Sequence, residues 1–371
     1  MKIGILTQPL MLNYGGILQA YALQEVLRRM GFDVKTIHLM LFSNEKITVH
    51  KLLSYFKRNV QKYLFGKNVS TKFNTGVSRS EYNRRSVNVW PFINKNIRLT
   101  KTIGGLSELS GIESENFDAI VVGSDQVWLP SNLPTFLLDF TEGWNIKRVS
   151  YAASFGHSEW RIDKDKTRLC SAYAKKFDAI SVREDSGVTL CKDFLGVEAK
   201  HVLDPTLLLD ADDYLCLVEA EDKIDKTIFS YVLDSNEQKK NIVEKIADLL
   251  GAKVSSTLDL NKGIDDKTNI QPSIDKWING IHNADFVVTD SFHGTVFSLI
   301  FRKQFAVMGN PNRGLTRIYS LLKLFGLEDR FVNQESQIGE LLQNEIDYEI
   351  IKSKIEVYKK NSMDFLHHSL V

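Results

Sequence analysis

Short apolar runs that break off on small or polar residues, each followed by a helical pattern, constrain this chain more than anything else in it. Residues 2–7 form the first run. Asn13-Tyr14-Gly15-Gly16 then reads as a glycine turn, apolar residues recur at helical spacing from about Ile17 to Met30, and Gly31 stops the helix before Phe32 to Leu39 alternates as a second strand. Strand, helix and strand in this order form a βαβ unit, whose strands pair in parallel because the helix carries the chain back across the sheet. The same pattern predicts strands over 117–122, 148–154, 179–182 and near 200–203. It returns over 227–233, 253–257, 286–289 and 304–308, with one helix at 237–250 and another from Thr295 to about Phe301.

At 371 residues the chain exceeds one ordinary core and suits two. The expected fold class is α/β, with two Rossmann-like lobes facing a cleft in the manner of the two-lobed (GT-B-like) glycosyltransferases. The expected division is residues 1–205, residues 206–345, and a last helix within 346–371 that returns to the first lobe. In open parallel sheets the carboxyl ends of the strands line the ligand crevice, so the polar residues that end each run are candidate site positions.

The 47 basic and 46 acidic residues leave a net charge of +1, and no global field would draw nucleic acid. Cys170, Cys191 and Cys216 lack metal-ligand spacing, and their odd number argues against a disulfide framework. No metal site and no Walker-type phosphate loop is expected. The N-terminus reaches polar residues too soon for a signal peptide and no apolar run approaches ~18 residues, which points to a cytosolic protein. From Lys46 to Lys72 six lysines and one arginine occur without an acidic residue, while Leu53, Phe56, Val60 and Leu64 recur at helical spacing. Such a basic amphipathic helix suits peripheral contact with an anionic membrane or with a lipid-linked diphosphate, and equally a helix packed on the first lobe.

Asp290-Ser291-Phe292-His293-Gly294-Thr295 passes from a strand into a helix. Free backbone N–H groups at a helix start attract anions, Gly294 permits close backbone approach, Ser291 and Thr295 can hydrogen-bond phosphate, and His293 can transfer a proton near neutral pH. A capped helix with a structurally bonded histidine would read the same way. Arg313 and Arg317 lie about twenty residues on, and Arg183 ends a first-lobe strand, where each guanidinium can pair bidentately with carboxylate or phosphate or serve as an ordinary ion-pair partner. Asn13, Tyr14 and Gly15, with Ser124, Gln126 and Trp128 of the Gly123–Trp128 string, are candidates for sugar hydroxyls and ring stacking. Asp125 is a candidate base, and Asp204-Pro205-Thr206 reads as a turn between lobes.

Taken in order, Asn13-Tyr14-Gly15-Gly16 with Gln19-Ala20, Gly123-Ser124-Asp125-Gln126-Val127-Trp128, Tyr151-Ala152-Ala153-Ser154-Phe155-Gly156, Ser181-Val182-Arg183-Glu184, Asp204-Pro205-Thr206 and Ser291-Phe292-His293-Gly294-Thr295 resemble the polysaccharide pyruvyl transferase family. The resemblance implies a glycosyltransferase-like fold, phosphoenolpyruvate as donor and co-substrate without a further cofactor, and a saccharide acceptor that becomes a cyclic pyruvate ketal during capsule or exopolysaccharide synthesis. It carries functional roles to Arg183, His293 and Arg313. Two departures stand out: many relatives have an arginine before the histidine, where this chain has Phe292, and the later basic residue, often lysine, is Arg313.

On this reading His293 transfers a proton, Asp125 or Asp290 takes a hydroxyl proton, and Arg183, Arg313 and Arg317 hold the donor's carboxylate and phosphate. The acceptor is a sugar, with galactose and a lipid-diphosphate carrier as the particular forms to test. A nucleotide-sugar glycosyltransferase and a non-catalytic saccharide-binding scaffold are the competing readings.

Overall fold

The computed structural model describes residues 1–40, 78–223, 226–258, 270–310 and 313–371, so the basic stretch from Lys46 to Lys72 lies outside the described residues. Six parallel strands form the first sheet: β1 (Lys2–Leu6), β2 (Asp33–Thr36), β3 (Ala119–Val122), β4 (Lys147–Ala153), β5 (Ala179–Val182) and β6 (Lys200–His201), in the order β2-β1-β3-β4-β5-β6. Five more form the second: β7 (Thr227–Tyr231), β8 (Lys253–Ser255), β9 (Phe286–Thr289), β10 (Gln304–Met308) and β11 (Phe331–Val332), in the order β11-β10-β9-β7-β8, again all parallel. Central strands β3, β7 and β9 are buried throughout, as expected of parallel sheets covered on both faces. The fold is therefore two Rossmann-like α/β lobes.

The strand order of each sheet reverses beside its first strand, between β1 and β3 in one lobe and between β7 and β9 in the other. At such a switch point neighbouring crossovers leave on opposite faces, and a crevice opens beyond the carboxyl ends of the strands. Side chains knit both places: Thr7 Oγ1 donates to Ser124 O (2.9 Å) across β1 and β3, and Thr289 Oγ1 donates to Tyr231 O (2.7 Å) across β9 and β7.

The helix after β1 spans Tyr14–Arg29, with Asn13 as its extended N-cap, so the glycine turn read from the sequence is its first helical turn. Tyr14 explains the early start. Its buried ring stacks on Trp277 of the helix Ile274–Asn283 (centroids 5.5 Å apart), and its hydroxyl donates to Pro272 O (2.8 Å). One apolar core continues from β1 and this helix, through Tyr214, to Trp277 and Phe297 of the second lobe, which fastens the lobes beneath the cleft.

The last helix, Tyr348–Leu370, extends beyond the 349–365 read from the sequence. It packs on the first lobe, where Leu203 N donates to Ser362 Oγ (3.0 Å), Lys147 Nζ donates to Leu370 O (3.3 Å), and Phe365 meets the Tyr151 ring.

Candidate active site

The cleft between the two switch points holds a cavity of about 260 Å³. Its lining includes Met11, Leu12, Asn13, Arg85, Asp125 and Gln126 from the first lobe and Asp290, Ser291, Phe292, His293, Arg313 and Arg317 from the second. Asp125 follows β3 in a positive-φ conformation (φ 81°) that is uncommon outside glycine and turns the carboxylate into the cleft. Phe292 and His293 sit in the first turn of the helix Phe292–Ile300, and Arg317 in the first turn of the helix Leu315–Phe325.

Gly15 makes the histidine's place possible. A Cβ at residue 15 would stand 2.0 Å from His293 Nδ1, so only glycine lets the imidazole lie against the Tyr14–Arg29 helix. On its other side His293 Nε2 faces Asp204 Oδ2 at 3.7 Å. Asp204 is fully buried and accepts from Ser124 Oγ (2.8 Å), Arg183 Nη1 (2.8 Å), Thr206 Oγ1 (2.6 Å) and Thr206 N (3.1 Å). Burial opposes its charge, yet facing His293, Arg183 and Thr206 hold its carboxyl well below the usual carboxylate range. Asp125 behaves alike: burial is outweighed by Arg183, His293, Arg317 and the Gln126 N–H, and its pKa is lowered.

The two buried arginines differ. Arg183 contacts Asp204 at 2.8 Å and Asp125 at 3.5 Å, and these carboxylates with Glu184 outweigh burial and raise its pKa. Arg317 has Asp125 only at 3.7 Å; burial and the neighbouring Arg183 charge push it down to about 10. Both guanidiniums lie near the Phe292 ring, 4.4 Å from its centroid for Arg183 and 5.7 Å for Arg317. Arg183 Nε and Nη2, Arg317 Nε and His293 Nε2 are buried without a hydrogen-bond partner. Buried donors in that state are costly, and an anion in the cleft would relieve the cost.

A family model described as polysaccharide pyruvyl transferase matches residues 13–312. The chain belongs to this family. No curated protein matches it in sequence. Among solved structures it is similar to UDP-GlcNAc 2-epimerase from Neisseria meningitidis bound to UDP-GlcNAc, with a TM-score of 0.51 and 12% identity over 100% of this chain and 99% of that one. A protein assigned as a UDP-N-acetylglucosamine 2-epimerase from Listeria monocytogenes gives a TM-score of 0.52 and 13% identity over 96% of this chain and 90% of that one. These likenesses show the GT-B-like fold of this family member.

Within that fold several expected site residues do other work. Trp128 is fully buried and donates from Nε1 to Phe136 O (3.2 Å) inside the first-lobe core, so it cannot stack on a sugar. Tyr14 belongs to the interlobe core. Asp290 accepts from Leu233 N (2.7 Å), Asp234 N (3.2 Å), Asn310 Nδ2 (2.8 Å) and Lys239 Nζ (2.5 Å), which leaves a carboxylate that ties the second switch point together and not a free base. Ser124 is spent on Asp204. Ser291 caps its helix by accepting from Gly294 N (3.4 Å), and Thr295 Oγ1 donates to Ser291 O (3.0 Å). Gly294 is required by helix-on-strand packing, since a Cβ there would stand 2.3 Å from Thr289 Oγ1.

Arg313 reaches the cavity wall in a two-point pair with Asp234 (2.7 and 2.9 Å). Asn13, Asp125, Gln126, Arg183, His293 and Arg317 are brought together around the cleft. Asp204 is the main residue that the sequence assigned to a turn, and its place in the Asp204-Pro205-Thr206 element of the family resemblance was its only signal. Among the described residues no group of three or more His, Cys, Asp or Glu side chains could hold a metal ion, and no helix is long and apolar enough to cross a membrane.

Proposed function

We propose that this member of the polysaccharide pyruvyl transferase family moves the pyruvyl unit of phosphoenolpyruvate onto two hydroxyls of a sugar, forming a cyclic ketal in capsule or exopolysaccharide synthesis. The observation that carries the reading is the under-compensated Arg317 on the cavity wall, with Arg183 buried beside the same Phe292 ring, both with buried donors that lack partners. A small ligand with carboxylate and phosphate on adjacent atoms answers that need, because each guanidinium can take one anionic group. The cavity, about 260 Å³, falls below the ~300–1,000 Å³ typical of drug-sized ligands, which favours this donor over a nucleotide sugar.

In the reaction a proton adds to the methylene carbon of the donor and a sugar hydroxyl attacks the central carbon. The bond from that carbon to the phosphate oxygen then breaks, and a neighbouring hydroxyl closes the ketal. Two hydroxyl protons are released: one balances the proton gained by the new methyl group and the other leaves with phosphate. His293 is placed to carry protons, and Arg183 and Arg317 offset charge on the leaving phosphate. Asp125, ionised between two arginines, is a weak base that can orient a hydroxyl. Asn13 and Gln126, which also line the cavity, are the side chains we assign to the acceptor's hydroxyls. A lipid-linked acceptor fits the basic Lys46–Lys72 sequence and a cytosolic enzyme working beside the membrane.

The test is phosphate release from phosphoenolpyruvate by purified protein, with and without a panel of aryl and lipid-linked galactosides and other saccharides, beside His293→Ala. Acceptor-dependent release that the variant loses is the expected result. No release and no binding of phosphoenolpyruvate would sink the reading and make nucleotide sugars the next donors to try.

A further inference from the structure

Asp204 has more contacts than a turn needs, and they are divided by function. Its Oδ1 is held by its own turn, through Thr206 N and Oγ1. Its Oδ2 takes Ser124 Oγ and Arg183 Nη1 from the first lobe and faces His293 Nε2 from the second. The first-lobe elements thus bracket the imidazole, with the Gly15 backbone against one side of the ring and Asp204 against the other. His293 Nε2 is buried and has no hydrogen-bond partner at this 3.7 Å separation. Catalytic hydrogen bonds are commonly long before substrate binds and shorten in the complex.

We propose that Asp204 is a positioning residue, which through Oδ2 fixes the rotation of the His293 ring across the lobe interface while anchoring Arg183 beside it. This rests on the pyruvyl-transfer reading for what the histidine does, but not for the pair itself. The charged groups around the ring are few: Asp204, Asp125 and Arg183 from the first lobe and Arg317 from the second, with Glu184 facing the arginines. Asp125 and Asp204 both feel the imidazole's charge, and it is Asp204 whose Oδ2 faces Nε2, at 3.7 Å.

Asp204→Asn keeps the side chain's shape and an acceptor for Thr206 but removes the charge facing His293. Ser124→Ala removes a single donor to Oδ2 without stranding a buried charge, and serves if the first variant does not fold. Calorimetric titration with phosphoenolpyruvate and phosphate release with an acceptor that works for wild type are the two activity readouts. For Asp204→Asn we expect turnover reduced by about 10²-fold or more, the range of general acid–base catalysis, and a clearly smaller loss of donor affinity, because the amide in place of Oδ2 loosens the Arg183 anchor while Arg317 keeps its place on the cavity wall. Ser124→Ala should lose turnover by several-fold with affinity unchanged. Turnover within threefold of wild type in Asp204→Asn, or an affinity loss that matches the turnover loss, overturns the proposal.

A third readout needs no substrate. In protein labelled with ¹⁵N-histidine, the imidazole nitrogen signals that disappear in His293→Ala should shift in Asp204→Asn and shift less in Ser124→Ala. Unmoved signals overturn the pairing. Shifted signals in a protein that neither binds phosphoenolpyruvate nor releases phosphate would retain the pairing and reject the pyruvyl-transfer reading instead.

Discussion

Gly15→Ala should damage the site far more than its size suggests. The added Cβ would stand 2.0 Å from His293 Nδ1, 2.1 Å from Cγ and 2.6 Å from Cβ. Carbon contacts settle near 3.5 Å or beyond, so the imidazole has to retreat by about 1.5 Å. The histidine's own Cβ is inside the clash, so no side-chain rotamer clears it and the backbone of one lobe has to shift. Overpacking of this kind costs about 1–3 kcal/mol, partly offset by the ~1 kcal/mol that alanine gains over glycine in a helix. Stability therefore falls modestly. Activity should fall much further, because a catalytic group misplaced by about 1 Å loses about 10²-fold in rate.

The control is the adjacent glycine. At Gly16 a Cβ would meet Asn13 Nδ2 and Asp125 Oδ2 no closer than 3.4 Å, so Gly16→Ala should melt at or slightly above the wild-type temperature and keep most activity. Phosphate release and thermal melts on the two variants side by side give the answer. Equal behaviour of the pair, or wild-type turnover in Gly15→Ala, would refute the argument that this glycine makes room for His293.

Arg317→Ala should weaken phosphoenolpyruvate binding by about 10- to 100-fold, the worth of a charge-assisted hydrogen bond, with Arg317→Lys recovering only part; calorimetry reads both. Trp128→Phe should lower the melting temperature by a few degrees through loss of the bond to Phe136 O and leave turnover and acceptor affinity unchanged, whereas a raised acceptor KM would restore the tryptophan to the site. Asp204 has a folded pKa below its unfolded value of ~3.9, so its ionised form stabilises the fold fully above that pH and the benefit is lost as pH falls toward the folded value. The melting-temperature gap between wild type and Asp204→Asn should therefore be widest near neutrality and narrow on acidification, and a gap constant down to about pH 3 would contradict that linkage.

The architecture was legible because buried parallel strands leave a strong mark. Continuous apolar runs such as Ala119–Val122 and Phe286–Thr289 end on polar strings, and the structure turns those endings toward one cleft. Individual roles were harder to read, because a short polar side chain after a strand can face the ligand or serve its own turn, and spacing does not distinguish the two. Ser291 and Thr295 close their helix start, Asp290 ties two loops together, and Trp128 points into the core although it lies three residues beyond Asp125. β11, only two residues long, carries no periodicity to detect. Asp204 was hidden for a related reason: its partners Ser124, Arg183 and His293 are 80, 21 and 89 positions away, and only the folded chain assembles them.

The departure at Phe292 has a physical counterpart. An aromatic ring cannot bind an anion, but it can hold cations by their flat faces, and here guanidiniums from both lobes lie near the same ring. Arg183 is neutralised by Asp204 and Asp125, while the carboxylate nearest Arg317 is the more distant Asp125 at 3.7 Å. A site in which every cation were tightly paired would have to break an ion pair before taking up an anion, and one full of free cations would destabilise the empty fold. One paired and one under-compensated arginine beside a shared aromatic ring lies between these extremes. Its stability before binding comes from Asp204, and its attraction for an anion is concentrated at Arg317.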